Sequence, residues 1–292
     1  MLPNENTGTN GYFSKYNFIE INKDHLQSYN PNLKLFEQKM SQKYPLGNDS
    51  FSIDHGEDYF AFFKRLGEVQ YMIIQNSSEL IVGTACSILR TYPTPNQDNK
   101  QGESIAFWYL CDLKIDKDHR GKKLTSKLFM QMLSKFMSKS YHGYLISMDP
   151  ASKQIVHIMN GIEKFLPNKL CTKTLWIYSV TVNTMIKIES YFVNAFNHIS
   201  YLSLIGMKDL ILTSTNKPIQ LYHLQHGTFA ATNNTKQLLE LPDNATIMFC
   251  FPDNSPLQTI VQEFDIKTDI SATIISLSMD FFDWHDILTS DI

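Results

Sequence analysis

The run Tyr109-Leu110-Cys111-Asp112-Leu113-Lys114-Ile115-Asp116-Lys117-Asp118-His119-Arg120-Gly121-Lys122-Lys123-Leu124 joins an apolar strand to a short basic turn, and the turn opens directly into an amphipathic helix. Such a turn is suited to hold a pyrophosphate. The first N–H groups of a helix have no intrahelical partner and carry the positive end of its dipole, so a phosphate there is hydrogen-bonded and charge-stabilised together. Arg120, Lys122 and Lys123 bring side-chain charge to the same point. Arginine is scarce in this chain, at positions 65, 90 and 120 only, so its place beside Gly121 is informative.

The strand itself carries groups able to move protons. Tyr109 and Asp112 are the candidates to touch a reaction, and Cys111 would be the nucleophile of a covalent route. Regular alternation puts Tyr109 and Cys111 on the face of Leu113 and Ile115, with Asp112 opposite. Each has a structural reading as well: Tyr109 as a core aromatic, Cys111 as a small buried hydrophobe, Asp112 as an anchor for a loop or helix. Glu103, at the strand entrance, and Asp149, after the next strand, are further carboxylates near the turn. His223 and His226 lie three apart on an expected strand and so on opposite faces, with no third ligand evident, and the four cysteines show no C-x-x-C spacing. No metal is expected.

Elements able to position these residues follow from periodicity. A strand is expected at Asn17–Ile21, helices at Leu33–Tyr44 and Asp54–Leu66, and a hairpin of Val69–Gln75 and Leu80–Arg90. Tyr92–Gly102 reads as a loop, and Ser104–Ile115 as a strand buried on both faces. Leu124, Leu128, Met132, Leu133 and Phe136 recur at helical spacing, and a strand at Gly143–Met148, a helix at Ser152–Phe165 and a strand at Lys173–Val182 complete the series. The order β, α, α, β, β, β, α, β, α, β implies a mixed α/β sheet with helices on both faces. It places the basic turn at the carboxyl end of its strand, where open α/β sheets bind ligands.

The chain has 292 residues, 43% hydrophobic and 19% charged, enough for one large or two smaller domains. No apolar run approaches the roughly 20 residues of a membrane span. The polar first thirty residues lack the core of a secretory signal, which makes the cytoplasm the expected compartment. Net charge is −3, but residues 1–182 hold 21 Lys+Arg against 17 Asp+Glu, a balance of +4, and residues 183–292 hold 5 against 12, a balance of −7. The first part can welcome a polyanion and the second a cationic partner; general nucleic-acid binding is not supported.

Together, the element order and the turn resemble the GNAT superfamily, the Gcn5-related N-acyltransferases, over residues 12–182. The family's signature is a strand reading Leu-x-Val, then R/Q-x-x-G-x-G/A, then a helix. Leu113-Lys114-Ile115 supplies the strand piece and Arg120-Gly121-Lys122-Lys123-Leu124-Thr125 the turn, with Lys123 where the signature has glycine and Thr125 where it has glycine or alanine. The resemblance implies a GNAT-like acyl-CoA-binding domain at 1–182 and an additional α/β segment at 183–292, which would complete the first sheet, cover the acceptor site or form a cofactor-free GNAT-like half. It implies acyl transfer, commonly from acetyl-CoA, to an amine by direct attack, with a backbone N–H polarising the thioester carbonyl. In that scheme Leu113 and Ile115 face the pantetheine. The amides of Arg120, Gly121, Lys122, Lys123, Leu124 and Thr125 face the pyrophosphate, with Ser126 and Ser152 beside it. The tyrosine that the family often places in the next helix is absent from Ser152–Phe165, leaving Ser152, His157 and Asn160 there. The acidic second part suggests a cationic acceptor such as a polyamine, an aminoglycoside-like amine or a lysine-bearing peptide. A GNAT-like module that binds CoA or a protein without turnover is the alternative.

Overall fold

The computed structural model describes residues 15–40, 43–46, 49–93, 104–148, 159, 163, 166 and 168–292. The expected helix at Ser152–Phe165, with Ser152, His157 and Asn160, lies outside the described residues except at single positions, as do Glu103, Asp149 and most of the Tyr92–Gly102 loop. The first half runs β1 (Tyr16–Ile21), α1 (Leu26–Met40), β2 (Tyr44–Leu46), β3 (Asp49–Asp54), α2 (Ala61–Leu66), β4 (Glu68–Asn76), β5 (Ile81–Pro93), β6 (Ser104–Ile115), α3 (Leu124–Lys139), β7 (Gly143–Met148) and β8 (Leu170–Thr181). The second runs α4 (Val182–Phe196), β9 (Ser200–Leu202), β10 (Asp209–Leu212), β11 (Leu221–Gln225), β12 (Thr235–Lys236), β13 (Thr246–Pro252), α5 (Leu257–Glu263) and β14 (Ile270–Leu277). The mixed α/β class implied by the element order is the one observed.

Among the described residues eleven strands form one sheet in the order β1-β4-β5-β6-β7-β14-β8-β13-β11-β9-β12, and β10-β3-β2 form a small second sheet. The last strand is inserted into the first half of the chain: β14 pairs antiparallel with β7 on one side and with β8 on the other. Since β13 also runs antiparallel to β8, β13 and β14 are parallel with β8 between them, and α5 makes the crossover. Strands of the second segment thus lie in the same sheet as those of the first.

The helix expected at Asp54–Leu66 is shorter than its apolar residues suggest. Asp54 accepts from the Gly56 amide at 3.0 Å and Asp58 from the Phe60 amide at 2.9 Å, and Gly56 has φ +62°, so local turns take the backbone groups that a helix would use. Only Ala61–Leu66 is helical. α1 begins earlier than expected and ends at Met40, packing Leu26, Leu33 and Phe36 into the core. One core lies between the sheet and the side of α1 and α2; another is made by Leu124, Leu128, Met132 and Phe136 of α3 against Trp108, Val82 and Ile74 on the other face. Helices on both faces leave the carboxyl end of β6 as the place where the sheet can open.

Candidate functional site

β6 and β7 are parallel neighbours over three positions only: Trp108↔Gly143, Tyr109↔Tyr144 and Leu110↔Leu145. Beyond Leu110, β6 runs on to Ile115 along β5, whereas Ile146–Met148 of β7 stay with β14. The two strands therefore part. Among the described residues the β7-facing edge of Cys111–Ile115 has no strand partner, and a row of unpaired backbone groups is a template for an extended ligand.

The basic turn stands at the open end of this fork. Asp116 anchors it: its amide donates to Val82 O at 2.9 Å, its carboxylate accepts from the Asp118 amide at 3.0 Å, and Lys39 of α1 pairs with it at 2.5 Å. Tyr16 of β1 hydrogen-bonds His119 at 3.0 Å, Arg120 Nε donates to Ile115 O at 3.1 Å and Lys122 Nζ to Asp118 O at 3.0 Å. Among the described residues the amides from Gly121 to Ser126 make no backbone hydrogen bond outside the helix, and a Cβ built on Gly121 meets nothing within 4 Å. The loop is an open cradle of donors at the start of a 16-residue helix. Leu124 is buried, holding the helix start to the sheet, while Arg120, Gly121 and Lys123 are exposed and Thr125 and Ser126 half-buried.

Lys123 occupies the position where the signature has glycine, and its backbone is left-handed at φ +58°, ψ 25°. The backbone shape that glycine would take is thus reached by a lysine, at a cost of roughly 1–2 kcal/mol. Lys123→Gly is therefore expected to leave the helix start intact, and Lys123→Ile to lower stability by about 1–2 kcal/mol, because a β-branched side chain crowds that conformation most. Thermal denaturation of the pair reads the difference; equal melting temperatures would refute it.

The strand does not alternate as expected. Asp112 has φ +51°, and the β5–β6 register slips between Thr84 and Cys86, which marks a β-bulge. The bulge moves Leu113 and Ile115 to the α3 face with Leu110, and it leaves Tyr109 and Cys111 on the opposite face together with the Asp112 carboxylate. The shared parity of Tyr109 and Cys111 with Leu113 and Ile115 is corrected accordingly: one extra residue reverses every side chain beyond it. Thr84 Oγ1 holds the bulge through Asp112 O at 2.9 Å.

On that face lies a buried polar network that no local pattern announces. Asp112 pairs with Lys114 at 2.7 Å and accepts hydrogen bonds from Tyr59 at 3.0 Å and from Tyr71. Lys114 also pairs with Glu37 of α1 at 2.6 Å, and Glu37 with His55 at 2.8 Å. Burial pushes the Asp112 carboxyl up, but the charge of Lys114 and then His55 outweigh it, so it lies below the usual carboxylate range. Burial likewise raises Glu37, and the His55 hydrogen bond with the Lys114 charge more than reverses this. Lys114 is held well above its ordinary value because Asp112, Tyr59 and Glu37 overcome its desolvation. Tyr109 stacks on Tyr144, with ring centroids 4.9 Å apart, and burial pushes its phenol well up, so it carries its proton at neutral pH. Lys208, over the Phe62 ring at 4.2 Å and bonded to Ile292 O, is pulled down to about 8 by burial. Glu37, His55, Tyr59, Tyr71 and Lys208 were not legible as site neighbours; each meets β6 or its surroundings from a distant part of the chain.

His223 hydrogen-bonds Thr289 at 3.0 Å and His226 stacks on Phe196 at 3.7 Å; among the described residues no group of three or more His, Cys, Asp or Glu could hold a metal ion. Among them, too, no helix is long and apolar enough to cross a membrane.

No family model matches the chain. The uncharacterized protein L340 of Acanthamoeba polyphaga mimivirus is 35% identical over 283 residues, which cover 96% of this chain and 81% of the relative. The chain belongs to the family of that viral protein. Solved structures to which it is similar include the GCN5-related glucosamine N-acetyltransferase region of a fungal multi-domain GH3 beta-N-acetylglucosaminidase (9% identity, 90% of this chain and 38% of that chain, TM-score 0.49). Others are a GNAT-family acetyltransferase of Staphylococcus aureus (22%, 50% and 83%, TM-score 0.32) and Arabidopsis thaliana NAA60 in complex with acetyl-CoA (11%, 50% and 82%, TM-score 0.35).

Proposed function

We propose that the chain is an acyl-CoA-dependent N-acyltransferase that moves an acyl group, acetyl in the simplest case, to a primary amine by direct attack. One observation carries this reading: the edge of Cys111–Ile115 in the β6–β7 fork, without a strand partner among the described residues, leads to the open amide cradle of Gly121–Ser126. The residues fit the group. Pantetheine would lie along the β6 edge past Leu113 and Ile115. The pyrophosphate would accept from the amides of Gly121 to Ser126, with Arg120, Lys122 and Lys123 supplying charge.

In this reading a backbone amide of β6 at the Asp112 bulge would stabilise a thioester oxyanion. The Asp112 carboxylate, already bound by Lys114, Tyr59 and Tyr71, positions that bulge. Tyr109, on β6 just before the fork, would serve the leaving thiolate by relaying the proton that the amine loses, since burial holds its phenol protonated. Residues 1–182 would carry the cofactor, and the acidic 183–292, which lends β14 to the same sheet, would cover the acceptor side and favour a cationic amine. A second reading, a CoA-binding module without turnover, is favoured by the full set of partners on Asp112.

Calorimetry with acetyl-CoA, then a free-thiol release assay over cationic and neutral amines, separates the two. Binding with thiol release on a cationic amine is the expected result. Binding without release on any amine selects the module, and no CoA binding overturns both. Arg120→Ala is expected to weaken CoA binding about tenfold, the worth of one charge-assisted phosphate contact; unchanged affinity would remove the pyrophosphate from this turn.

A further inference from the structure

Below the point where β6 and β7 part, the α3 face of the sheet forms a half-open apolar pocket of about 70 Å³. Leu110 and Leu145, the last pair before the fork, line it together with Phe129 and Leu133 of α3, Ile275 of β14 and Met159. Phe129, Leu145, Met159 and Ile275 are all buried. Three polar side chains along its wall have partners elsewhere: Ser140 donates to Ala106 O at 2.6 Å, Trp108 Nε1 to Phe136 O at 3.3 Å, and His142 Nδ1 is bonded to Ser278 O at 2.5 Å. With leucine, phenylalanine, methionine and isoleucine making up most of its lining, the pocket favours aliphatic carbon.

Its place along the fork identifies the occupant. The cradle sits at the first turn of α3, and the cavity lies against the same helix one to three turns further on, around Phe129 and Leu133. An acyl thioester extended along Cys111–Ile115 from that cradle reaches the fork at Leu110 and Leu145, and whatever follows its carbonyl continues into the cavity. The geometry points to a short-chain acyl pocket, with butyryl-CoA a better donor than acetyl-CoA. This rests on the acyltransferase reading above. On the scale by which a cavity of ~150 Å³ admits the six carbons of benzene, this one admits about three, the number that a butyryl group carries beyond its carbonyl carbon. The transfer itself is unchanged: the amine nitrogen bonds to the acyl carbon, the C–S bond breaks, and the thiolate takes up the proton that the amine loses.

Binding of free CoA, acetyl-CoA, butyryl-CoA and hexanoyl-CoA, followed by thiol release for each thioester with one accepted amine, tests this. Two further buried methylenes at about fourfold each predict that butyryl-CoA binds roughly fifteenfold tighter than acetyl-CoA. Hexanoyl-CoA, whose last two carbons exceed the pocket's volume, should gain nothing further over butyryl-CoA. In Leu133→Trp, or in the milder Leu133→Phe should the first fail to fold, the butyryl-to-acetyl ratio should fall toward one. Free CoA that binds while acetyl-CoA and butyryl-CoA bind equally well overturns the pocket alone; free CoA that does not bind overturns the acyltransferase reading with it.

Discussion

Lys114→Ala is expected to lower the unfolding free energy by about 3–5 kcal/mol, the cost of removing one partner from a buried ion pair. Lys114 is the cation between Asp112 at 2.7 Å and Glu37 at 2.6 Å, and its loss leaves two carboxylates with little access to water. Each carboxyl is held below its ordinary value in the folded protein, so its contribution is complete above the unfolded value of about 4 and is lost as pH falls through the lower folded value. Lys114 is raised, so its contribution is complete below about 10.4 and is lost only as pH climbs through the folded value. In Lys114→Ala, burial acts on Asp112 without the opposing charge, and its carboxyl rises. The deficit against the parent should therefore be largest near neutral pH and narrow as the solution is acidified. Urea unfolding at several pH values measures this; a deficit that is small and independent of pH would mean that the pair is solvated. Asp112→Asn in the Lys114→Ala background should recover part of the loss, since it removes the stranded charge.

Asp291→Ala should cost a similar amount, about 3–5 kcal/mol. Its carboxylate binds Arg90 at 2.9 Å and Arg65 at 3.3 Å, and Arg90 lies over the Phe229 ring at 3.8 Å. These contacts join β5 and α2 to a segment some two hundred residues later, where Asp286 also accepts from Tyr92 at 2.7 Å and from the Thr228 amide at 2.9 Å. Without Asp291 two guanidinium groups remain in a poorly solvated place, and residues 284–291 lose their hold on the first half. Limited proteolysis should cut that segment earlier than in the parent, alongside a lower melting temperature. Persistence of the parent's protease pattern would show that Trp284, Ile287 and Leu288, all buried, hold the segment by apolar contact alone.

What the sequence determined by itself is local in origin. The β4–β5 hairpin follows from two β-rich runs around Asn76, whose side chain accepts from the Ser78 and Leu80 amides at 3.0 Å. The long strand β6, the basic turn and α3 follow from an apolar run, a lone arginine beside glycine, and helical spacing. The candidate cradle was legible for the same reason, since a helix start and its neighbouring charges are a single stretch of chain. Tertiary structure decided the rest. The bulge at Asp112 reverses the faces of Leu113 and Ile115 because it depends on how β6 registers against β5, which alternation along one strand does not encode. Lys114 finds Glu37 across 77 positions, and β14 enters between β7 and β8 from the far end of the chain. Periodicity reports which side of an element is apolar; which distant surface covers that side, and which buried charges must then meet, is settled only when the sheet closes around them.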